Sequence, residues 1–307
     1  MAIIRSLRNE QLLNELSNQS LVKQAEDRLT GVIRLAVREG SIVRQVLVPE
    51  YISYSQLDRQ QDTDVPTKVI DVEPNSPAAV PVGFGTTPSN IWLSAKRVKA
   101  TFNRIQTVQG EYDVELLMTW ELDLQQVFAD NMAKDILARE DGGFFNAVNQ
   151  VLGTVDTQSA VIPGHFPYVT INGGYSREGL QEMLNVMPKS IYRLPPVTAV
   201  VNTVTANRMM SLGRDEIGGD KAQALIVKGF SEWEWGGLNW IATTKYHIVP
   251  HDSVYLFSDP RTIGKFLILT DTTTHLRTEG PRLKFYSYET IASVIGNAAG
   301  LARVNFA

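Results

Sequence analysis

Apolar positions recur at helical spacing over the longest regular stretch of the chain, from Asp123 to Leu152. Leu124, Val127, Phe128, Met132, Ile136, Leu137, Phe144, Phe145, Val148 and Leu152 mark one amphipathic helix. At about 1.5 Å per residue it makes a rod of roughly 45 Å, which spans more than a small domain. Just before it, residues 112–120 alternate apolar and polar positions and predict a strand running straight into the helix. Asp141-Gly142-Gly143 interrupts the pattern, because each glycine costs roughly 1 kcal/mol relative to alanine in a helix interior. Gly142 and Gly143 therefore predict either a bend in the rod or the close approach of another backbone. Such a rod is a construction part, and no catalytic signal of equal strength occurs elsewhere.

Helical spacing also runs through residues 7–38, in Leu12, Leu13, Leu16, Val22, Ala25, Leu29, Val32, Ile33 and Ala36. A break is expected at Asn18-Gln19-Ser20, with Ser20 capping the second helix. The apolar face is narrow, so a neighbouring subunit is its expected partner. Residues 41–54 are β-rich, and the polar run 56–64 carries Asp58, Asp62 and Asp64. Strand patterns at 67–72 and 91–105 flank a Pro- and Gly-rich tip. In the second of them Val98, Ala100 and Phe102 face opposite to Lys99, Thr101 and Asn103. This extended β-loop has too few apolar residues for a core of its own and must lie on something else.

Residues 153–174 are expected to be a loop, after which Ser176 caps a helix reaching Met187. Val197-Thr198-Ala199-Val200-Val201 is apolar but for one threonine, the pattern of a strand buried on both faces. Thr205 is expected to cap a short helix over 206–212, followed by a turn at 213–220. Strands are predicted at 225–227, 240–244, 254–256 and 266–269, with hairpin pattern over 283–288 and 291–306. A pattern that continues to the last residues predicts a segment tied into a sheet.

Composition narrows the field. With 43% hydrophobic and 20% charged residues, the 307-residue chain has the profile of an ordered globular protein. No apolar run approaches the ~18 residues of a membrane helix, and the first residues lack the apolar core of a secretion signal. The chain has no cysteine, which removes disulfides and thiolate chemistry. A net charge of −4 without a basic block does not imply tight nucleic-acid binding over the whole surface, although a local basic patch remains open. Lys96, Arg97, Lys99 and Arg104 would give the β-loop one basic side, either solvated or matched to an acidic strip such as 58–64 on another copy.

Enzyme signals are weak. Pro250 breaks helical geometry between His247 and His251, and no glutamate follows His247 as a zinc protease motif requires. His251-Asp252-Ser253 holds triad residue types in sequence only, and Asp252 is better placed as a turn residue. Gly83-Phe84-Gly85 lacks the context of a nucleotide fingerprint. Glu115, Glu121, Asp123, Glu140 and Asp141 are expected as capping or solvated carboxylates. Trp233, Trp235 and Trp240 fit core or interface packing better than ligand stacking.

The order of parts resembles the major capsid proteins of tailed phages, which have the Hong Kong 97-type fold. Glu121-Leu122-Asp123-Leu124 entering the long helix resembles the family pattern, as does Ala138-Arg139-Glu140-Asp141-Gly142-Gly143-Phe144-Phe145 late in it. Ala302-Arg303-Val304-Asn305-Phe306 is similar to its closing strand. The resemblance implies an α+β fold with an N-terminal arm (1–40) and an extended loop with its approach (41–105). It implies a peripheral domain with the spine helix (106–153), a mixed α/β axial domain (154–275) and a return to the peripheral domain (276–307).

By the same resemblance, copies of the chain form pentamers and hexamers that close an icosahedral shell around double-stranded DNA, bound without sequence specificity. Portal and scaffolding proteins, and decoration proteins as well, are the implied partners, and the implied location is the virion, assembled in the bacterial cytoplasm. No cofactor or membrane is implied. Asp215 and Glu216 fall in the loop expected at the axial tip, and Gly142-Gly143 at the bend expected during shell maturation. Without a long charged N-terminal segment, scaffolding is expected from a separate protein or not at all. Two rival readings are an encapsulin-like shell enclosing protein cargo and a hydrolase using His247, His251 and Asp252.

Overall fold

The computed structural model describes residues 11–12, 14–15, 19–59, 63–72, 96–117, 124–154, 166–190, 193–209 and 234–307. In chain order these form α1 (Gln19–Gly40), α2 (Ile42–Val46), β1 (Pro49–Tyr51), β2 (Thr67–Val72), β3 (Lys96–Thr101), β4 (Asn103–Gln106) and β5 (Gly110–Asp113). There follow α3 (Val114–Leu117), α4 (Leu124–Leu152), β6 (Tyr168–Ile171), α5 (Arg177–Asn185), β7 (Thr198–Asn202) and α6 (Thr203–Met209). The chain continues with β8 (Glu234–Trp235), β9 (Leu238–Thr243), β10 (Ser253–Phe257), α7 (Pro260–Ile263), β11 (Gly264–Glu279), β12 (Arg282–Ile295) and β13 (Leu301–Phe306).

Two sheets organise the molecule. The first is built on the β11–β12 hairpin, turned at Gly280 with φ 60°, a left-handed conformation that favours glycine. It runs β1-β11-β12-β4, with β5 also paired to β12. The second runs β6-β13-β10-β7-β9-β8. Both faces of its middle are covered. Val254 and Leu256 of β10 point toward Leu180, Met183, Ala206 and Met209 of α5 and α6, while Tyr255 and Phe257 point toward α4. Burial on both faces is why β7 and β10 are apolar without alternation.

The 29-residue α4 joins the two sheets. Its first half, from Leu124 to Ile136, packs between α1 and the β11–β12 tip residues Leu276, Leu283 and Phe285. Its second half, Phe144 to Leu152, packs with α2, β10 and the roots of β11 and β12. The helix runs unbroken through Gly142 and Gly143, and a Cβ at either would meet no heavy atom within 4 Å. Among the described residues, no other backbone approaches the diglycine.

Several expectations change. The strand expected over 112–120 ends at Asp113, whose Oδ1 accepts the Glu115 N–H at 2.9 Å and starts α3; residues 118–123 lie outside the described ones. The β-rich stretch after residue 40 is helical at α2 despite its branched side chains, because the helix start is capped by Ser41 and Asp141. Ser20 lies inside α1 and does not precede it. The apolar face of α1, with Ala25, Leu29, Ile33 and Val37 buried, is covered by α4 and β11 of its own chain, so it needs no neighbouring subunit for that face.

Residues 168–171 form β6, hidden from local reading because their partner is β13, far along the chain. Ser176 does cap α5, its Oγ accepting the Gly179 N–H at 3.1 Å. Thr205 is inside α6, whose start is held by Asn202 Oδ1 accepting the Val204 N–H at 2.7 Å. The expected division at 275/276 falls within β11, and β13 pairs into the second sheet. The turn expected at 213–220 and the strand at 225–227 lie outside the described residues.

Candidate assembly surfaces and a buried charge cluster

The β-arm is an antiparallel ribbon in which β2 and β3 pair from Thr67↔Thr101 to Val72↔Lys96. Its root is fixed: Ala100 and Phe102, with Val98 and Ile70, pack on Ile52, Leu267, Ala292 and Val294 of the first sheet. The opposite face, with Lys99, Thr101 and Asn103, is exposed as the alternation requires. The basic residues do not act as one strip. Arg97 Nε lies 2.9 Å from Asp71 Oδ1 directly across the ribbon, both 73% exposed. Arg104 belongs to β4 and stacks its guanidinium over Tyr288, 4.4 Å from the ring centre. Lys96 opens β3.

The acidic candidates are likewise spread out. Asp58 turns back onto its own arm, Oδ2 accepting the Val69 N–H at 2.6 Å, and Asp64 is exposed. Asp62, Asp215 and Glu216 lie outside the described residues.

The strongest chemistry sits where α2, α4 and β12 meet. Arg44 Nε donates to Glu140 Oε1 at 3.0 Å, and its Nη2 to Glu140 Oε2 at 3.2 Å and Glu289 Oε2 at 3.1 Å. Ser41 Oγ donates to Glu140 Oε1 at 2.7 Å, and the Thr272 hydroxyl donates to Glu289 Oε2 at 3.1 Å. Asp141 Oδ1 accepts the N–H groups of Ile42 and Val43 at 3.1 and 3.2 Å, so a carboxylate from one helix caps another. Its Oδ2 is held by Lys245 Nζ. The Arg44 side chain is 3% exposed, and those of Glu140, Asp141 and Glu289 are fully buried. Glu140 and Asp141 are therefore not solvated residues; they face inward.

Burial pushes the Glu289 carboxyl up to about 8, and the adjacent Glu140 pushes in the same direction against the pull of Arg44. Burial also raises Asp141, opposed by Lys245. Glu289 Oε1 and Arg44 Nη1 are buried without a hydrogen-bond partner among the described residues. Irregular pairing in β11, between Ile268 and Thr270 and again before Thr273, lies beside the cluster that Asp271 and Thr272 join.

Arg44, Lys245 and Glu289 carry this cluster, and sequence reasoning missed them. The available signal was a lone charge in an apolar setting: Arg44 among Ile42, Val43 and Val46, and Glu289 in a strand of Tyr, Thr, Ile and Ala.

The triad residue types do not converge. His251 Nδ1 is 3.3 Å from Asn202 Nδ2, and Ser253 Oγ donates to Asn305 Oδ1 at 2.6 Å. Asp252, at φ 59°, accepts from Tyr175 OH at 2.8 Å and pairs with Arg208. It is a turn residue before β10. His247 is exposed, and no metal-binding group of three or more His, Asp or Glu exists among the described residues. Trp240 is buried in the core between the second sheet and α5. No described helix is long and apolar enough to cross a membrane.

No protein-family model matches the sequence, and neither does any curated protein. Solved structures do match. The virus-like particle from Pyrococcus furiosus aligns at 11% identity with a TM-score of 0.54, over 91% of this chain and 98% of that one. The capsid of the Cyanophage P-SCSP1u aligns at 11% identity and TM-score 0.58, over 87% and 88%. The capsid of the native GTA particle aligns at 11% and 0.57, over 87% and 90%. At these identities the likeness is one of fold, and the chain has the α+β Hong Kong 97-type capsid fold.

Proposed function

We propose, from a Hong Kong 97-type fold that covers nearly the whole chain, that this protein is the major capsid protein of a tailed double-stranded DNA phage. Its role is structural: copies of one chain associate through pentamers and hexamers into an icosahedral shell that encloses the genome. The extent of the likeness carries this reading. It reaches 87–91% of this chain, where a shared sheet alone would leave function open.

The β-arm supports the reading from the physics of the chain itself. Its root is packed, but the outer face with Arg97 and Lys99 is displayed on a ribbon that a separate body can contact. In a shell many such modest contacts act together through multivalency. We assign Arg97, Lys99, Arg104 and Asp64 to contacts between copies, along with Lys96, Asp58 and Asp62. Asp215 and Glu216, which lie outside the described residues, are assigned to capsomer centres.

Negative-stain electron microscopy with gel filtration tests the proposal. Closed shells, or rings of five and six copies, are the expected result, and nucleic acid inside shells purified from infected cells identifies the cargo. Shells filled with protein instead would make the chain a compartment subunit. A chain that stays monomeric, alone and with a scaffolding protein from the same genome, would sink the reading.

A further inference from the structure

The buried cluster is one positive charge short. Arg34, Arg44 and Lys245 face Glu140, Asp141, Asp271 and Glu289, three cations against four carboxylates. Arg34 is on α1, Arg44 on α2, Glu140 and Asp141 on α4, Lys245 after β9, Asp271 on β11 and Glu289 on β12. Five elements and the segment after β9 thus contribute charges to the junction. Arg34 and Asp271 lie at the rim, 3.6 Å apart, leaving Arg44 to serve both Glu140 and Glu289 at the centre.

Two ionised carboxylates on one buried guanidinium are costly, because neither can borrow solvent to offset their mutual repulsion. A single proton removes the excess charge. It turns Glu289 into a donor, and the neighbouring Glu140 carboxylate is a ready acceptor.

We propose that Arg44, Glu140 and Glu289 form a proton-operated latch that holds the spine helix to the N-terminal segment and the long hairpin. The latch is closed with a proton on Glu289 and loosened when that proton leaves to solvent. Its position gives it leverage. Glu140 and Asp141 directly precede Gly142 and Gly143, the part of α4 with the lowest helix propensity, where a Cβ would meet no heavy atom of another described segment within 4 Å. Asp141 at the same time caps α2, which carries Arg44. Opening the cluster therefore loosens α2 and the middle of α4 together. The burial that raises Glu289 places the event in mildly alkaline solution.

The latch is a property of the folded chain and stands apart from the capsid reading, so its test needs no shell. Thermal unfolding is followed from pH 5.5 to about 9.5 for the wild type, for Glu289→Gln, and for the exposed control Glu279→Gln. Glu289→Gln keeps the shape of the protonated acid and cannot ionise. The wild type and the control are expected to lose Tm as pH rises through the Glu289 transition. Glu289→Gln is expected to hold its Tm across that window and to exceed the wild type at its alkaline end. Parallel profiles for all three overturn the latch. Should Glu289→Gln fail to fold, difference infrared spectra of wild type labelled with carbon-13 glutamate give an independent answer. A protonated glutamate band at pH 6 that disappears at alkaline pH supports the proposal, and its absence at pH 6 refutes it. The label separates glutamate from Asp141.

Discussion

Arg44 and Arg97 show how differently one residue type can weigh. Arg97 meets Asp71 in open solvent, where pairing gains little and screening takes part of that. Arg44 is enclosed with Glu140 and Glu289, so its removal strands two buried carboxylates. Arg44→Ala should cost about 3–5 kcal/mol in denaturant unfolding. Arg97→Ala should cost under about 1 kcal/mol in the same assay. Near-equal losses would mean that the cluster is looser than its geometry. The pH sign follows from the same residues. In the fold Glu289 sits at about 8, above its ordinary 4.5, so the folded protein holds a proton that the unfolded chain releases between those values. Its stabilising contribution is full below about 4.5 and fades as pH rises through about 8. Sequence showed these charges but not their burial, since Glu140 and Glu289 meet only through the tertiary packing of α4 against β12.

At the scale of elements, legibility tracked the distance to the partner. The helix α4 was readable from Leu124 to Leu152 because its apolar residues keep a period near 3.6, and α5 was readable because Ser176 caps it locally. The buried strand β7 is readable from its nearly unbroken apolar run, and β10 from Val254 to Leu256. In contrast, α2 reads as a strand from Ile42, Val43 and Val46, and becomes helical through a cap from Asp141, 99 positions away from Ile42. Lys96, Arg97 and Lys99 lie on β3 and Arg104 on β4, and no single basic side forms, because Arg97 pairs across to β2 and Arg104 stacks on Tyr288. The diglycine in α4 gives a prediction at this scale. With no heavy atom of the described residues outside the helix's own backbone within 4 Å of a Cβ at either position, Gly142→Ala and Gly143→Ala both fit and should stabilise the protein by about 1 kcal/mol each, measured by thermal or denaturant unfolding. If α4 bends there during shell maturation, the double variant should expand more slowly in a light-scattering or sedimentation assay. Expansion at the wild-type rate would free Gly142 and Gly143 of that role.

The whole molecule is tied together by segments distant in sequence. The N-terminal helix α1 rests on α4 and β11, the middle helix α4 spans two sheets, and β13 lies between β6 and β10 in the second sheet. Removing β13 strips β10 of its partner on one side and leaves β6 with no neighbour in the sheet. A chain ending at Gly300 should lose cooperative unfolding and aggregate through the exposed edge of β10, seen by circular dichroism and size exclusion. The same arrangement sets a schedule for synthesis. When α1 and α4 have left the ribosome, the hairpin tip that covers them has not yet been made, and the second sheet lacks an interior strand until residues 301–306 emerge. Contacts so far apart in sequence close slowly and late. The second sheet cannot be completed before its last strand is made, so a chain stopped short of residue 301 exposes an edge of β10. Quality control is thereby written into the order of translation.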